Sequence, residues 1–204
     1  MVNNKKNQQI TAIVIAILIT ISIVGAGVYG YFYEAPFPNP SAYSDNSDYS
    51  SLKNKVNTLN QEVRSNPYDI PLQQDLGNAY YDLATVAQEA APDEVIEDYN
   101  QAITYYQKVL NTKKDINVLT DMATAAFYSG QYDLAEKSFK EALIENPDFQ
   151  QALFNYGVFL IETKNDYSTA IRMWQTILDK EPNGPNSDQV RQLITQAKNA
   201  QASQ

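Results

Sequence analysis

The chain has 204 residues and contains neither cysteine nor histidine. That excludes disulfides, thiol nucleophiles, Cys/His metal centres and a Ser-His-Asp triad, and it assigns no redox compartment. The formal charge is −9; Lys5 and Lys6 are the only charged side chains before Glu34, so the remainder carries 13 basic and 24 acidic residues, a net −11 that disfavours nucleic acid and anionic lipid as partners of that part.

Residues 1–9 form a polar tail holding the two lysines. Residues 10–30 then run without a charge, and 13–19 contain only Ile, Val, Ala and Leu. About 20 apolar residues span a bilayer as a helix, and Tyr29, Tyr31, Phe32 and Tyr33 cluster at the far end as an interfacial belt does. Residues 10–31 are therefore expected to be a single-pass anchor in the cell membrane. Lysines before the span and acids after it put the N-terminus in the cytoplasm and the rest on the outer face. A cleaved signal peptide is the rival, but Gly25-Ala26-Gly27 is a poor site and the apolar core is long for one. Ala12, Ala16 and Thr20 form a small-residue row of the kind that pairs membrane helices, which leaves a homodimer open.

Residues 32–50, with their prolines, serines, aspartates and asparagines, read as a disordered linker. Residues 51–66 read as a capping helix. Leu52, Val56, Leu59 and Val63 lie on one stripe, and Asn66-Pro67 ends it.

A repeated string dominates the rest. It reads Ala135-x3-Phe139-x2-Ala142-Leu143-x3-Pro147 and recurs 35 residues later as Ala170-x3-Trp174-x2-Ile177-Leu178-x3-Pro182. A third copy, Ala102-x3-Tyr106-x2-Val109-Leu110, sits 33 residues before the first. Each copy has an upstream partner: Gln73-x2-Leu76-Gly77-x2-Tyr80, Leu119-x2-Met122-Ala123-x2-Ala126 and Leu153-x2-Tyr156-Gly157-x2-Leu160. Leu119, Met122, Ala123 and Ala126 fall on one helical face. Small residues (Gly77, Ala123, Gly157) stand where the first helix of a pair must lie close to the second, and Tyr106, Phe139 and Trp174 fill the space between pairs. Gly130 supplies a stop, and Asp133 with Glu136 can cap the next start. Asp115, Asp148 and Asp166 stand near other helix starts.

A period near 34 with this pattern resembles the tetratricopeptide repeat (TPR), a helix-turn-helix solenoid unit. The resemblance covers residues 67–182, divided as 67–114, 115–147 and 148–182. The first repeat is long: Leu76 to Ala102 is 26 residues, against 13 from Met122 to Ala135. The insertion continues the helical pattern on both sides of Ala91-Pro92-Asp93, so two helices each longer by nearly two turns, with a projecting tip, are expected. Residues 183–204 open with a turn and close with a capping helix and tail, Val190, Leu193, Ile194 and Ala197 facing the stack.

The fold expected is thus all-α: a TPR-like solenoid of about three repeats with capping helices, behind one transmembrane helix. No catalytic set appears. The carboxylate pairs Asp93/Glu97 and Glu94/Asp98 are expected on a solvated helix face, no Gly-rich phosphate loop is present, and neither cofactor nor metal is implied. The resemblance implies a concave groove lined by the first helix of each pair. The groove residues expected to bind a partner are Asn78, Tyr81, Thr124, Phe127, Tyr128, Phe154, Asn155 and Val158, rimmed by Asp82, Asp121 and Glu162. A carboxylate clamp of the family's chaperone-tail binders is not carried over, because its basic positions hold Gln74, Gln151 and Asn155. The function expected is a membrane-anchored, non-enzymatic adaptor or scaffold for a protein or peptide in the cell envelope. The alternatives are a structural homo-oligomer of the envelope and an accessory factor of secretion or assembly machinery.

Overall fold

A computed structural model describes residues 46–203, and every regular element among them is a helix. In chain order these are α1 (Asn46–Ser65), α2 (Ile70–Ala90), α3 (Val95–Leu110), α4 (Ile116–Tyr128), α5 (Tyr132–Glu145), α6 (Gln150–Lys164), α7 (Tyr167–Lys180) and α8 (Ser187–Ala202). The tail at 1–9, the anchor expected at 10–31 and most of the 32–50 linker lie outside the described residues. No helix among the described residues is long and apolar enough to cross a membrane.

Local chemistry sets the boundaries. Asp69, Asp115 and Asp166 each accept a backbone N–H of the helix they precede, from Leu72 at 3.0 Å, Asn117 at 3.1 Å and Thr169 at 3.0 Å. Each bond satisfies a donor that a helix start leaves without an intrahelical partner. Gly130, at φ 80°, turns the chain between α4 and α5, and Asn165, at φ 52°, does so between α6 and α7. The left-handed backbone costs glycine nothing and asparagine little, so both are effective helix stops. Asp133 sits in the first turn of α5, whose N-cap residue, Gln131, makes no side-chain capping bond. Glu136 is engaged instead by Lys140 at 2.8 Å and Lys164 at 3.2 Å, and Asp148 by Lys180.

The helices pack as three pairs, α2/α3, α4/α5 and α6/α7, with α1 laid on α2 and α8 on α7. Within the pairs, small residues meet large ones as the repeat pattern requires. A Cβ added to Gly77 would lie 3.0 Å from the Tyr106 ring, and one added to Gly157 would lie 2.4 Å from Trp174 Nε1. Tyr106, Phe139 and Trp174 are all fully enclosed. Val56 and Val63 of α1 are buried against Leu76, Ala79 and Leu83, with Leu52 and Leu59 packed beside them. Each such side chain contributes on the order of 1.5–3 kcal/mol when fully buried. At the other end Val190, Ile194 and Ala197 of α8 face inward, and its outer face is polar.

Two expectations need correction. The capping helix begins at Asn46 rather than residue 51, so the last residues assigned to the linker are helical. Tyr49, within that extra stretch, packs onto the α1–α2 cluster and anchors it. The long first repeat also differs in detail. Its extra length lies mostly in α2, which has 21 residues against 13 in α4, while α3 has 16 against 14 in α5. Nor does the tip project alone. α1 runs beside it, with Lys53 Nζ 2.8 Å from Glu94 Oε2 and the Tyr49 hydroxyl donating to the same carboxylate.

Candidate protein-interaction face

The repeat register places equivalent residues of the first helices in rows. Asp82, Tyr128 and Glu162 occupy one position of the three repeats, two residues after Tyr80, Ala126 and Leu160; Asn78, Thr124 and Val158 occupy another. These rows run across α2, α4 and α6 and form the candidate face.

Burial divides the expected groove residues into two groups. Tyr81, Thr124, Phe154 and Asn155 are buried and belong to the packing. Phe154 is 1% exposed, its ring lies against Trp174, and its carbonyl accepts the Trp174 Nε1–H at 3.1 Å. It is a core residue, contrary to the sequence expectation. Tyr81 packs edge-on to Tyr99 at 5.5 Å between ring centroids. Asn155 donates to Thr124 Oγ1 at 3.1 Å, and the Thr124 hydroxyl donates to the Thr120 carbonyl at 2.9 Å. With Gln151 donating to Asp121 at 2.8 Å, these bonds lace α6 to α4 and satisfy the buried polar groups.

Asn78, Phe127, Tyr128 and Val158 are half-buried and remain on the face. Asn78 accepts the Tyr106 hydroxyl at 3.0 Å. Tyr128 stacks on Tyr99 at 5.6 Å and meets Phe127 at 5.0 Å, and Phe127 touches Phe159 at 5.6 Å. The sequence reading missed one contributor: Tyr132, 50% exposed, leans on Phe127 at 6.4 Å. It lies in the first turn of α5, outside the first-helix register used to find the groove.

The carboxylates give the face its electrostatic character. Burial pushes Asp82 up to about 6, partly opposed by Lys55, whose Nζ lies 3.8 Å from Oδ2. Glu162 is raised by burial alone. Burial raises the Tyr128 hydroxyl as well, with Glu162 adding to it, and takes Tyr99 up to about 12, with Asp82 adding to it. The two acids therefore flank a stacked tyrosine pair, in surroundings that leave their negative charge incompletely compensated.

An all-helical stack of paired helices with phased small and large residues defines a TPR-like solenoid, the class to which both fold and face point. Residues 83–200 match the model of the "Cilia and flagella-associated protein 70 middle TPR-like domain". The match covers more than half of the chain, and the chain belongs to that family. No curated protein matches it. Among solved structures, "MamA AMB-1" is 20% identical with a TM-score of 0.52, over 79% of this chain and 82% of that one. A tetratricopeptide repeat protein from Parabacteroides merdae is 21% identical with a TM-score of 0.54, over 78% of this chain and 59% of that one. These likenesses show the fold.

Proposed function

We propose that the chain is a membrane-anchored, non-enzymatic adaptor that takes a peptide segment of a protein partner on the face built by α2, α4 and α6. The observation that carries this reading is the Asp82–Tyr128–Glu162 row, one residue from each repeat, with Asn78 and Val158 beside it. An aromatic ring between two under-compensated carboxylates suits a segment with basic side chains. The ring offers contact area and the acids offer charge-assisted hydrogen bonds and steering. The uncharged run at 10–31, with lysines before it, supports an anchor that leaves the solenoid on the outer face.

The binding half is tested with Asp82→Asn combined with Glu162→Gln. Proteins retained by the wild-type full chain at low salt should be lost by the double variant, with helical circular dichroism unchanged. Retention of the same proteins by both would contradict the reading. The anchoring half is tested by adding protease to intact cells stripped of any wall. Digestion of the solenoid is expected, and its protection would overturn the orientation.

A further inference from the structure

Glu94, the N-cap of α3, and the α3 residues Asp98 and Tyr105 form a stripe that faces α1. Tyr105 packs into the cluster built on Val56 and Val63, and Glu94 receives both Lys53 and Tyr49. Asp98 lies between them, only 8% exposed, and its Oδ2 has no hydrogen-bond partner. The sequence reading had Asp98 on a solvated face; α1, which meets the same stripe at Glu94 one turn before it and packs with Tyr105 two turns after it, lies over this side. A buried carboxylate oxygen without a donor is costly when ionised and much less so when protonated.

We propose that Asp98 makes the N-terminal half of α1 a pH-sensitive clasp, docked on the α2–α3 tip while Asp98 is protonated and loosened as it ionises. Lys53 on α1 pulls towards ionisation; Glu94 and Glu97, from α3 and its cap, push the other way. Neither α2 nor α4, the other helices packed on α3, adds a charge that acts on Asp98. Tyr49 and Lys53 are both raised above their ordinary values and keep their protons throughout the relevant range. Burial, the largest influence, takes Asp98 up to about 6 from 3.8. Lifting α1 lets water in and returns the carboxyl towards its ordinary value. The lifted form then binds fewer protons than the docked form, so rising pH favours lifting, by about tenfold between about pH 5 and about pH 7.5. Among the described residues Asp82, which meets Lys55 of α1, is the one other raised aspartate facing this helix and has to be separated from Asp98.

The test is amide hydrogen exchange on the full chain at those two pH values, corrected for the intrinsic rate. Opening of residues 49–59 should rise about tenfold in the wild type at the higher pH. Asp98→Asn should abolish the difference and Asp82→Asn should keep it. Equal protection of the wild type at both pH values would overturn the clasp. So would a response that survives Asp98→Asn or vanishes in Asp82→Asn. Should Asp98→Asn fail to fold, the comparison of wild type with Asp82→Asn still decides.

Discussion

Gly157 and Trp174 fit each other so closely that neither position tolerates exchange alone. A Cβ at Gly157 would come within 2.4 Å of Trp174 Nε1 and 2.7 Å of Cε2, while Nε1–H is fixed on the Phe154 carbonyl at 3.1 Å. The indole cannot retreat without leaving its own buried N–H without an acceptor. Alanine normally gains about 1 kcal/mol over glycine inside a helix. Here overpacking outweighs that gain, and Gly157→Ala should destabilise by roughly 1–3 kcal/mol net. Denaturant melts check the value. In a Trp174→Leu background the same substitution should become neutral or favourable, because the clashing ring is gone.

Trp174→Ala should cost roughly 3–5 kcal/mol, as emptying a large packed site does. Trp174 is the only tryptophan, so its emission reports this site directly. A blue-shifted spectrum is expected from a ring that is 2% exposed. Deleting residues 187–204 should shift it to the red, because α8 packs on α7 and covers that end of the stack.

Phe154→Ala and Phe127→Ala should part company. Phe154 is enclosed and should cost roughly 3–5 kcal/mol, with the melting temperature lowered accordingly. Phe127 is half-buried at the edge of an aromatic cluster and should cost clearly less. Equal losses would mean that Phe127 is also core and that the face is narrower than drawn.

Stability should fall as pH rises from about 4 through about 6. Asp82 and Asp98 are both raised to about 6 from 3.8, so the folded chain holds protons that the unfolded chain has released. Their penalty is absent below the unfolded value and complete above the folded one. For buried Asp98 it is at most about 3 kcal/mol; Asp82, whose side chain is 43% exposed, contributes less through solvent screening. Asp115 and Asp166 are lowered by capping and ion-pair contacts, so their contribution is lost in stronger acid. The optimum should therefore lie on the acid side of neutrality, and Asp98→Asn should stabilise at pH above about 7. Urea midpoints across pH would check this; a midpoint that climbs from pH 5 to 8 would count against it.

The repeat phasing made most of the fold legible. Leu76-Gly77, Met122-Ala123 and Tyr156-Gly157 mark the close approaches, and Tyr106, Phe139 and Trp174 mark what fills them. The continuation of the pattern through Leu83, Val86 and Tyr99 revealed the long first repeat. The face was less legible, for a geometric reason. A first helix in the middle of the stack packs against its own partner and against neighbouring repeats. Nine of the fifteen residues of α6 are buried, so helical periodicity does not separate a groove position from a core position. Phe154 was misplaced for that reason. Asp98 was misplaced because its burial depends on helices packed onto α3 from elsewhere in the chain, which the local pattern of charges does not reveal. Tyr132 escaped because it stands on a second helix.

The adaptor reading is tested most directly by mapping where a partner touches the solenoid. A photo-crosslinking residue placed at Tyr128 or Val158 of the full chain, expressed in intact cells, should form discrete adducts with one protein. The same residue at Lys137 or Gln175, exposed on the second helices α5 and α7, should form none. Adducts from 128 and 158 that disappear at high salt are the predicted result, since the Asp82 and Glu162 carboxylates steer the contact. Adducts from 137 and 175 alone would contradict it and move the interaction to the opposite side of the stack.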